Sequence, residues 1–501
     1  MICQQSSISM EAERHSLLLN DLYELTMGFG YWKNQMHERE ALFHLFFRKN
    51  PFEGSYSVAC GLGDAIEYLQ NLHLSDRECD YLAGLIGRDK RPLFEKGFLT
   101  YLKKMRFSCD VDAVPEGTIV FPHEPILRVR GPLLQAQLIE PVLLNIIDFQ
   151  TLIATKSSRI RTAAGGDPVI EFGLRRAQGI DGALSASRAA YVGGCTGTSN
   201  VLAGMRYGLP VFGTHAHSWV MAFDDEKKSF EAYAQAQPNN CIFLVDTYDT
   251  LKGVRNAVEI AKKLRQQGHQ ALGIRLDSGD LAYLSAEARK ILDEAGLPEM
   301  AIVATNELDE HIITSLKNQG AQVNMWGIGT KLVTAYDQPA LGGVYKLAAL
   351  KQEDGHWSPR LKLSEQLLKV STPGRLQVRR FELDGQFIGD MIYDELSPER
   401  DDSILRHPTD VTRTKRIPES ATAKDLLVSV FQRGRKIYPD VSLQEIQQRA
   451  AAQFKEFHPS IQRLLNPHEY PVGMESNLYR IKTNLILKLR ESITSSTPVC
   501  L

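Results

Sequence analysis

The chain has 501 residues, with 58 lysines and arginines against 60 aspartates and glutamates, a net charge of −2. That length exceeds one ordinary hydrophobic core and points to two domains or one large barrel with additions. With 43% hydrophobic and 24% charged residues the chain is of globular, not disordered, composition. Its near-balanced charge also argues against a nucleic-acid binder, which needs an excess of clustered Lys and Arg.

In chain order, residues 1–14 read as a polar tail without the apolar core of a signal peptide. Residues 15–165 hold a helix-like segment (Leu19–Trp32), a strand-like one (Ala41–Phe47) and strand candidates at Thr118–Phe121 and Ile126–Val129. Leu133–Thr162 then reads as mostly helix. Its most apolar part, Leu133–Phe149, is broken by Glu140, Pro141 and Asp148, so a core helix is expected and not a membrane span. Seven scattered cysteines without a C-x-x-C pair suit a reducing cytoplasm, with neither a disulfide framework nor a zinc site.

From 166 to 350 the sequence has a beat. Short apolar runs at Pro168–Phe172, Pro210–Phe212, Cys241–Val245, Ala271–Leu276, Ala301–Ala304 and Gln322–Ile328 predict buried parallel strands. Amphipathic stretches at Leu251–Gln267 and Leu281–Ala295 predict helices between them, with Gly268 and Gly296 as C-caps. The interval of about 30 residues is that of a βαβ unit, so a parallel sheet or (β/α) barrel follows. Residues 351–490 are expected to supply strands at Leu361–Val370 and Leu376–Ile392 and a helical segment at Leu443–Leu489, with 491–501 as a tail. The fold class expected is therefore α/β: an irregular (β/α) barrel inserted into an α+β domain built from N- and C-terminal segments.

Chemistry gathers where these strands end. The exits contain Arg175-Arg176, Thr214-His215-Ala216-His217, Asp246, Asp277-Ser278-Gly279-Asp280 and Gly327-Ile328-Gly329-Thr330. Carboxyl ends of parallel strands are where such folds place their sites. The glycine loop offers bare backbone N–H groups to a phosphate, although the pattern also occurs as a plain turn. Asp277 and Asp280 could hold ribose hydroxyls or a magnesium ion, with Arg275 as a fixed cation; Asp280 could equally cap the helix at Leu281. His215 and His217 could ligate a metal only with partners from another strand. An imidazole held by an acceptor can also take up a phosphoryl group. Tyr23, far from these exits, reads by itself as a core aromatic behind an N-cap at Asn20 or Asp21.

Taken together, Asn20–Met27, Glu171–Gly179, Ser199–Gly204, Gly213–Ser218, Asp246–Thr250, Arg275–Leu281 and Gly327–Lys331 closely resemble nicotinate phosphoribosyltransferase in order and spacing. The resemblance runs from about residue 16 to 350 and less sharply beyond. It implies a type II phosphoribosyltransferase, active as a homodimer with its site at the interface. It also implies the first step of NAD salvage from nicotinic acid. Nicotinate and 5-phosphoribosyl 1-diphosphate (PRPP) give nicotinate mononucleotide and diphosphate, with Mg²⁺ and coupled ATP hydrolysis. By position, His217 resembles the transiently phosphorylated histidine and Asp246 the carboxylate that orients it. Phe172 and Tyr23 resemble the aromatic pair around the pyridine ring, Tyr23 coming from the other subunit. Thr214 and Arg275 resemble contacts to nicotinate. Arg175, Asp277, Gly329 and Thr330 resemble contacts to PRPP and its phosphates. No metal ligand is assigned, and neither nucleic acid nor membrane is expected as a partner.

Two features bear on the choice of substrate and of the phosphorylated histidine. The nicotinamide-using relative carries an acidic residue around Ser199–Asn200, where this chain is neutral, which favours the carboxylated substrate. His215 stands where some relatives have an apolar residue, and the Ala-His-Ser context favours His217. The competing readings are a nicotinamide phosphoribosyltransferase, a catalytically silent barrel that binds a phosphorylated metabolite, and a metal-dependent hydrolase using both histidines.

Overall fold

The computed structural model describes residues 14–366, 369–397, 401, 403–410 and 412–495. The expected tails at 1–13 and 496–501 lie outside them. The chain forms two compact units. The first is assembled from 1–151, 340–442 and 452–501, the second from 152–339 with 443–451.

The first unit is built on antiparallel sheets. Its seven-stranded sheet places Glu40–Phe46 between Val344–Lys351 and Leu127–Pro132, with Phe43 opposite Val129 and Leu45 opposite Tyr345. Strands from both ends of the sequence thus share one ladder, and the rings of Phe43 and Tyr345 stack at 4.9 Å across it. A six-stranded sheet contains the hairpin of Leu376–Leu383 with Gln386–Asp394. The described part of Leu361–Val370 is not a strand. There the Lys362 N–H bonds the Ser371 hydroxyl at 3.0 Å instead of a neighbouring ladder.

Leu22–Lys33 is a helix whose Leu25 joins Phe98, Leu134 and Leu138 in one apolar cluster. Asp21 is its N-cap by backbone position but makes no capping side-chain bond. The Asn20 amide instead donates to the Leu138 carbonyl at 2.7 Å. Tyr23 is not the core aromatic that the sequence suggests: it is 50% exposed, beside Leu19 and Leu22, each 53% exposed. Leu133–Phe149 falls within helices Leu133–Leu138 and Glu140–Ala164. No helix among the described residues is long and apolar enough to cross a membrane.

Lys482, on the helix Ser476–Ser495, is buried and donates to the Thr372 hydroxyl at 3.1 Å. Burial brings its ammonium down to about 8. Unfolded, the same group titrates near 10.4 and binds the proton more tightly, so stability rises with pH between those values. Lys482→Met is accordingly expected to raise the unfolding free energy at pH 7 by up to about 3 kcal/mol. The gain should shrink as the pH passes from about 8 toward 10, which urea titrations at several pH values would show.

The second unit carries six parallel strands: β1 (Val169–Glu171), β2 (Gly197–Thr198), β3 (Ile242–Leu244), β4 (Gly273–Leu276), β5 (Ala301–Ala304) and β6 (Met325–Ile328). Their order in the sheet is β2-β1-β6-β5-β4-β3. The helices that position the site are α1 (Ile180–Val192), α2 (Val201–Tyr207), α3 (His217–Met221), α4 (Glu226–Ala236), α5 (Thr250–Gln266), α6 (Leu281–Glu294), α7 (Glu310–Asn318) and α8 (Thr330–Val333). In α5 the predicted apolar face, Val254, Ala257, Val258, Ala261 and Leu264, is buried. Gly268 and Gly296 follow α5 and α6 with φ of 82° and 74°, which lets the chain turn out of each helix. The expected strand Pro210–Phe212 is reduced to a single parallel bridge between Val211 and Thr198. Four residues on, His215 accepts the Leu244 N–H through Nε2 at 3.2 Å. One imidazole therefore ties the Val211 end of the sheet to the β3 end, where a further ladder would otherwise close the barrel.

The segment 443–451 completes this unit. Gln447 donates to the carbonyls of Tyr191 and Cys195 at 2.5 and 3.0 Å, and Leu443 packs against the Leu184–Ala203–Leu209 cluster.

Candidate active site

Every strand of the parallel sheet delivers polar groups from its carboxyl end. The centre of the face is Arg275, the third residue of β4. Its side chain is 14% exposed and reaches three partners on three elements. Nε donates to Thr305 Oγ1 at 2.9 Å, Nη1 to Thr214 Oγ1 at 3.0 Å, and Nη2 to Asp277 Oδ1 at 2.9 Å. Thr305 also donates to Asp277 Oδ1. Burial alone would raise the Asp277 carboxyl, but the Thr305 hydroxyl and the Arg275 guanidinium outweigh it and hold it below its ordinary value. Asp277 is therefore ionised at neutral pH.

His217 opens α3. Its Nδ1 lies 3.1 Å from Thr247 Oγ1 and its Nε2 lies 3.6 Å from Asp277 Oδ2. The side chain is 40% exposed, so the ring is open to a ligand. Asp246, which the resemblance assigns to orienting this histidine, does something else. Its Oδ2 accepts the Asp277 N–H at 2.8 Å and the Ser278 hydroxyl at 2.7 Å. It thereby fixes the turn after β4, while Thr247 and Asp277 flank the imidazole. Asp246 Oδ1 is buried without a hydrogen-bond partner.

His215 is buried against Phe230 and Tyr233, with Nε2 committed to Leu244. Burial takes its imidazole down to about 4, so it stays neutral. A metal site shared by His215 and His217 has no support in this geometry. No group of three His, Cys, Asp or Glu residues placed to hold a metal occurs among the described residues. His215→Ala would leave the buried Leu244 N–H unsatisfied and open a cavity. A loss of about 2–4 kcal/mol of stability is expected, measurable by thermal or denaturant unfolding.

The glycine loop starts within β6, whose last two residues are Gly327 and Ile328. A Cβ at Gly327 would lie 2.8 Å from the Phe172 ring, and one at Gly173 would lie 2.2 Å from Val333. Gly327 thus serves close packing with Phe172 and Thr305, and Gly173 close packing with Val333, a reason that the phosphate-loop reading of the sequence does not include. Gly329 precedes α8, Thr330 donates to Glu307 at 3.2 Å, and Lys331 is held by Asp309 at 2.5 Å. Phe172 is half-buried at the exit of β1, with its N–H on the Ile328 carbonyl at 2.7 Å. Arg175 stands exposed on the 3₁₀ turn Leu174–Arg176.

Asp280 caps α6, its Oδ1 accepting the N–H groups of Ala282 and Tyr283 at 3.1 and 3.0 Å. Asn200 is buried and caps α2 through Ala203 N–H at 3.2 Å. The neutral pair Ser199–Asn200 therefore contributes one structural residue and one, Ser199, that is only half-buried. The structure brings Asp246, Thr214, Arg275 and Asp277 into one hydrogen-bonded network with His217 3.6 Å from Asp277, and Phe172, Arg175, Gly329 and Thr330 on neighbouring exits of the same sheet. Tyr23 belongs to the first unit. The sequence reading places Thr247 and Thr305 at strand exits but gives neither a role, although both are hydroxyl residues within three positions of a strand end.

Charged and hydroxyl groups at the carboxyl ends of a parallel sheet are the arrangement in which α/β enzymes place their sites. Residues 18–148, 168–357 and 376–482 match the nicotinate phosphoribosyltransferase N-terminal domain, the nicotinate phosphoribosyltransferase family and the nicotinate phosphoribosyltransferase C-terminal domain. The chain belongs to the nicotinate phosphoribosyltransferase family, a family of enzymes. It is 43% identical over 483 residues to nicotinate phosphoribosyltransferase of Bacillus subtilis, covering 95% of this chain and 96% of that one. Identity to the Homo sapiens enzyme is 34%, covering 93% and 96%. The crystal structure of human nicotinic acid phosphoribosyltransferase superposes with a TM-score of 0.80 over 93% of this chain and 99% of the other, at 32% identity. A nicotinate-nucleotide pyrophosphorylase from Pyrococcus furiosus shares the fold, with a TM-score of 0.68 over 91% and 99% at 22% identity.

Proposed function

We propose that this chain transfers the 5-phosphoribosyl group of PRPP to the ring nitrogen of nicotinate, giving nicotinate mononucleotide and diphosphate in the first step of NAD salvage from nicotinic acid. The observation that carries this reading is the Arg275 network. A guanidinium fixed by Thr305 and Asp277, with Thr214 alongside, presents a charge-assisted partner to the pyridine carboxylate. Phe172 supplies one wall of a slot for a flat, electron-poor ring. Arg175, Gly329 and Thr330 take the phosphates of PRPP, whose many charges demand cations and backbone N–H groups together. Displacement at the anomeric carbon forms the bond to nitrogen as the bond to the diphosphate oxygen breaks. The protein's share is positioning and electrostatic support.

ATP drives the reaction through His217. In the tautomer that donates Nδ1–H to Thr247, the Nε2 lone pair attacks the γ-phosphorus. An N–P bond forms, the bond to the bridging oxygen breaks, and ADP leaves. Hydrolysis of the phosphohistidine later releases phosphate and restores the imidazole. No set of three protein ligands for a metal occurs among the described residues, so a magnesium ion would draw most of its oxygen ligands from the substrate's phosphates and water. Asp246 Oδ1, buried and without a hydrogen-bond partner, would be the protein oxygen available to it once the turn at Asp277 opens toward the substrate. Such an ion would neutralise charge on the leaving diphosphate.

Tyr23 acts in this reading from a second copy. It lies exposed beside Leu19 and Leu22, an apolar strip suited to a homodimer that completes the ring slot. Light scattering should give a dimer mass. The deciding assay follows PRPP consumption with nicotinate or nicotinamide, with and without ATP. Nicotinate-dependent turnover enhanced by ATP is expected; preference for nicotinamide would overturn the substrate assignment.

A further inference from the structure

One buried ionisable group on the catalytic face has no part in the steps above. Glu171, the last residue of β1, is fully buried. Burial pushes its carboxyl up, and the groups that oppose this are neutral donors, the Thr198 and Ser187 hydroxyls and the Gly173 N–H, with no Lys, Arg or His among them. A buried carboxylate is tolerated only when its lone pairs are satisfied. Here three elements satisfy them. The Gly173 N–H donates to Oε1, while the Ser187 hydroxyl of α1 and the Thr198 hydroxyl of β2 donate to Oε2 at 2.8 and 2.6 Å.

Each donor leads to the ring slot. Gly173 is the residue directly after Phe172, and its lack of a side chain lets its amide turn onto the carboxylate; a Cβ there would come within 2.8 Å of Oε1. Thr198 Oγ1 in turn accepts the Asn200 N–H at 2.9 Å, and the Asn200 amide reaches Ser187 Oγ at 3.3 Å. The Glu171 carbonyl accepts the Ser199 N–H at 2.9 Å. The sheet ladder already pairs Glu171 with Ile328 and Thr198, so holding the strands together does not require a charged side chain.

We propose that Glu171 is a positioning residue for pyridine binding: it locks the backbone that follows Phe172 to the Ser199–Asn200 turn, so that the ring wall and this turn keep one geometry. This rests on the assignment of Phe172 to the nicotinate slot. Glu171 touches no substrate itself.

Two variants test it in the full-length enzyme. Glu171→Gln keeps the shape but turns an acceptor into a donor facing two hydroxyls. Thr198→Val removes the donor to Oε2 and the acceptor for the Asn200 N–H with little change in volume, and Thr198→Ser restores both. Glu171→Gln and Thr198→Val are expected to raise the KM for nicotinate about tenfold and leave the KM for PRPP within about twofold, with Thr198→Ser close to wild type. A parallel rise in both KM values, or an unchanged nicotinate KM in either variant, would reduce Glu171 to a packing group. If Glu171→Gln does not fold, the Thr198 pair decides. Failure of the functional assignment is read separately, from the wild-type arm: it would show no nicotinate-dependent consumption of PRPP at all.

Discussion

Arg275→Ala is expected to lower kcat/KM for nicotinate by about 30-fold to several thousand-fold, the range for truncating one member of a desolvated, hydrogen-bonded charge pair. The size follows from what Arg275 does in the free enzyme as well as with substrate. It holds Thr214, Thr305 and Asp277 at once, so its removal loosens the exits of two neighbouring strands and leaves the Asp277 carboxylate without its cation. Arg275→Lys keeps the charge but lacks the fork, and should recover only part of the loss. Steady-state kinetics with nicotinate and nicotinamide side by side provides the check: the alanine variant should lose much of its preference for the acid. Stability gives a second signature. The Asp277 carboxyl is held below its ordinary value in the folded state, so its contribution is complete above about pH 4 and fades as the pH falls through the folded value. The stability gap between wild type and Arg275→Ala should therefore narrow in acid. A gap that widens there would contradict the pairing.

His217→Ala should abolish nicotinate-stimulated ADP formation and the acid-labile phosphate that labelled ATP leaves on the protein. ATP-independent transfer from PRPP should persist at a reduced rate, because Arg275, Thr214 and Phe172 are untouched. The distinction matters since the imidazole is the coupling device in this reading and not the group that binds the pyridine. Undiminished ADP release from the variant would remove His217 from the reaction. Thr247→Val offers a milder probe: it deletes the group 3.1 Å from Nδ1 and should slow phosphorylation without eliminating it.

How far the sequence carries these conclusions differs between the two units. In the second, each strand meets its helix locally, so apolar runs, Asp caps and following glycines can be read directly. Asp249 and Asp280 cap α5 and α6 where the pattern puts helix starts. The first unit is less legible because its ladders join distant segments. Nothing in Glu40–Phe46 indicates that Val344–Lys351 is its neighbour. Side-chain partners across loops are hidden for the same reason. Asp246 lies near His217 in the chain's βα order, yet its carboxylate is taken by the next strand exit, and a hydroxyl one residue further on reaches the ring. Tyr23 fails differently. Helical spacing places an aromatic near an apolar face, but exposure depends on what covers that face. The shortened strand at Val211 escapes periodicity because a histidine side chain replaces the missing ladder.

The segment 443–451 has a temporal meaning. It belongs to the catalytic unit, but about a hundred residues separate it from the end of that unit's main stretch at Pro339. At ribosomal rates of 5–20 residues per second, the nascent barrel waits roughly 5–20 s for its last piece. During that interval the carbonyls of Tyr191 and Cys195 lack Gln447, and the Leu184 cluster lacks Leu443. The packing around α1 and α2 is therefore among the last parts of this unit to be completed, after most of the strands of the other unit have been synthesised.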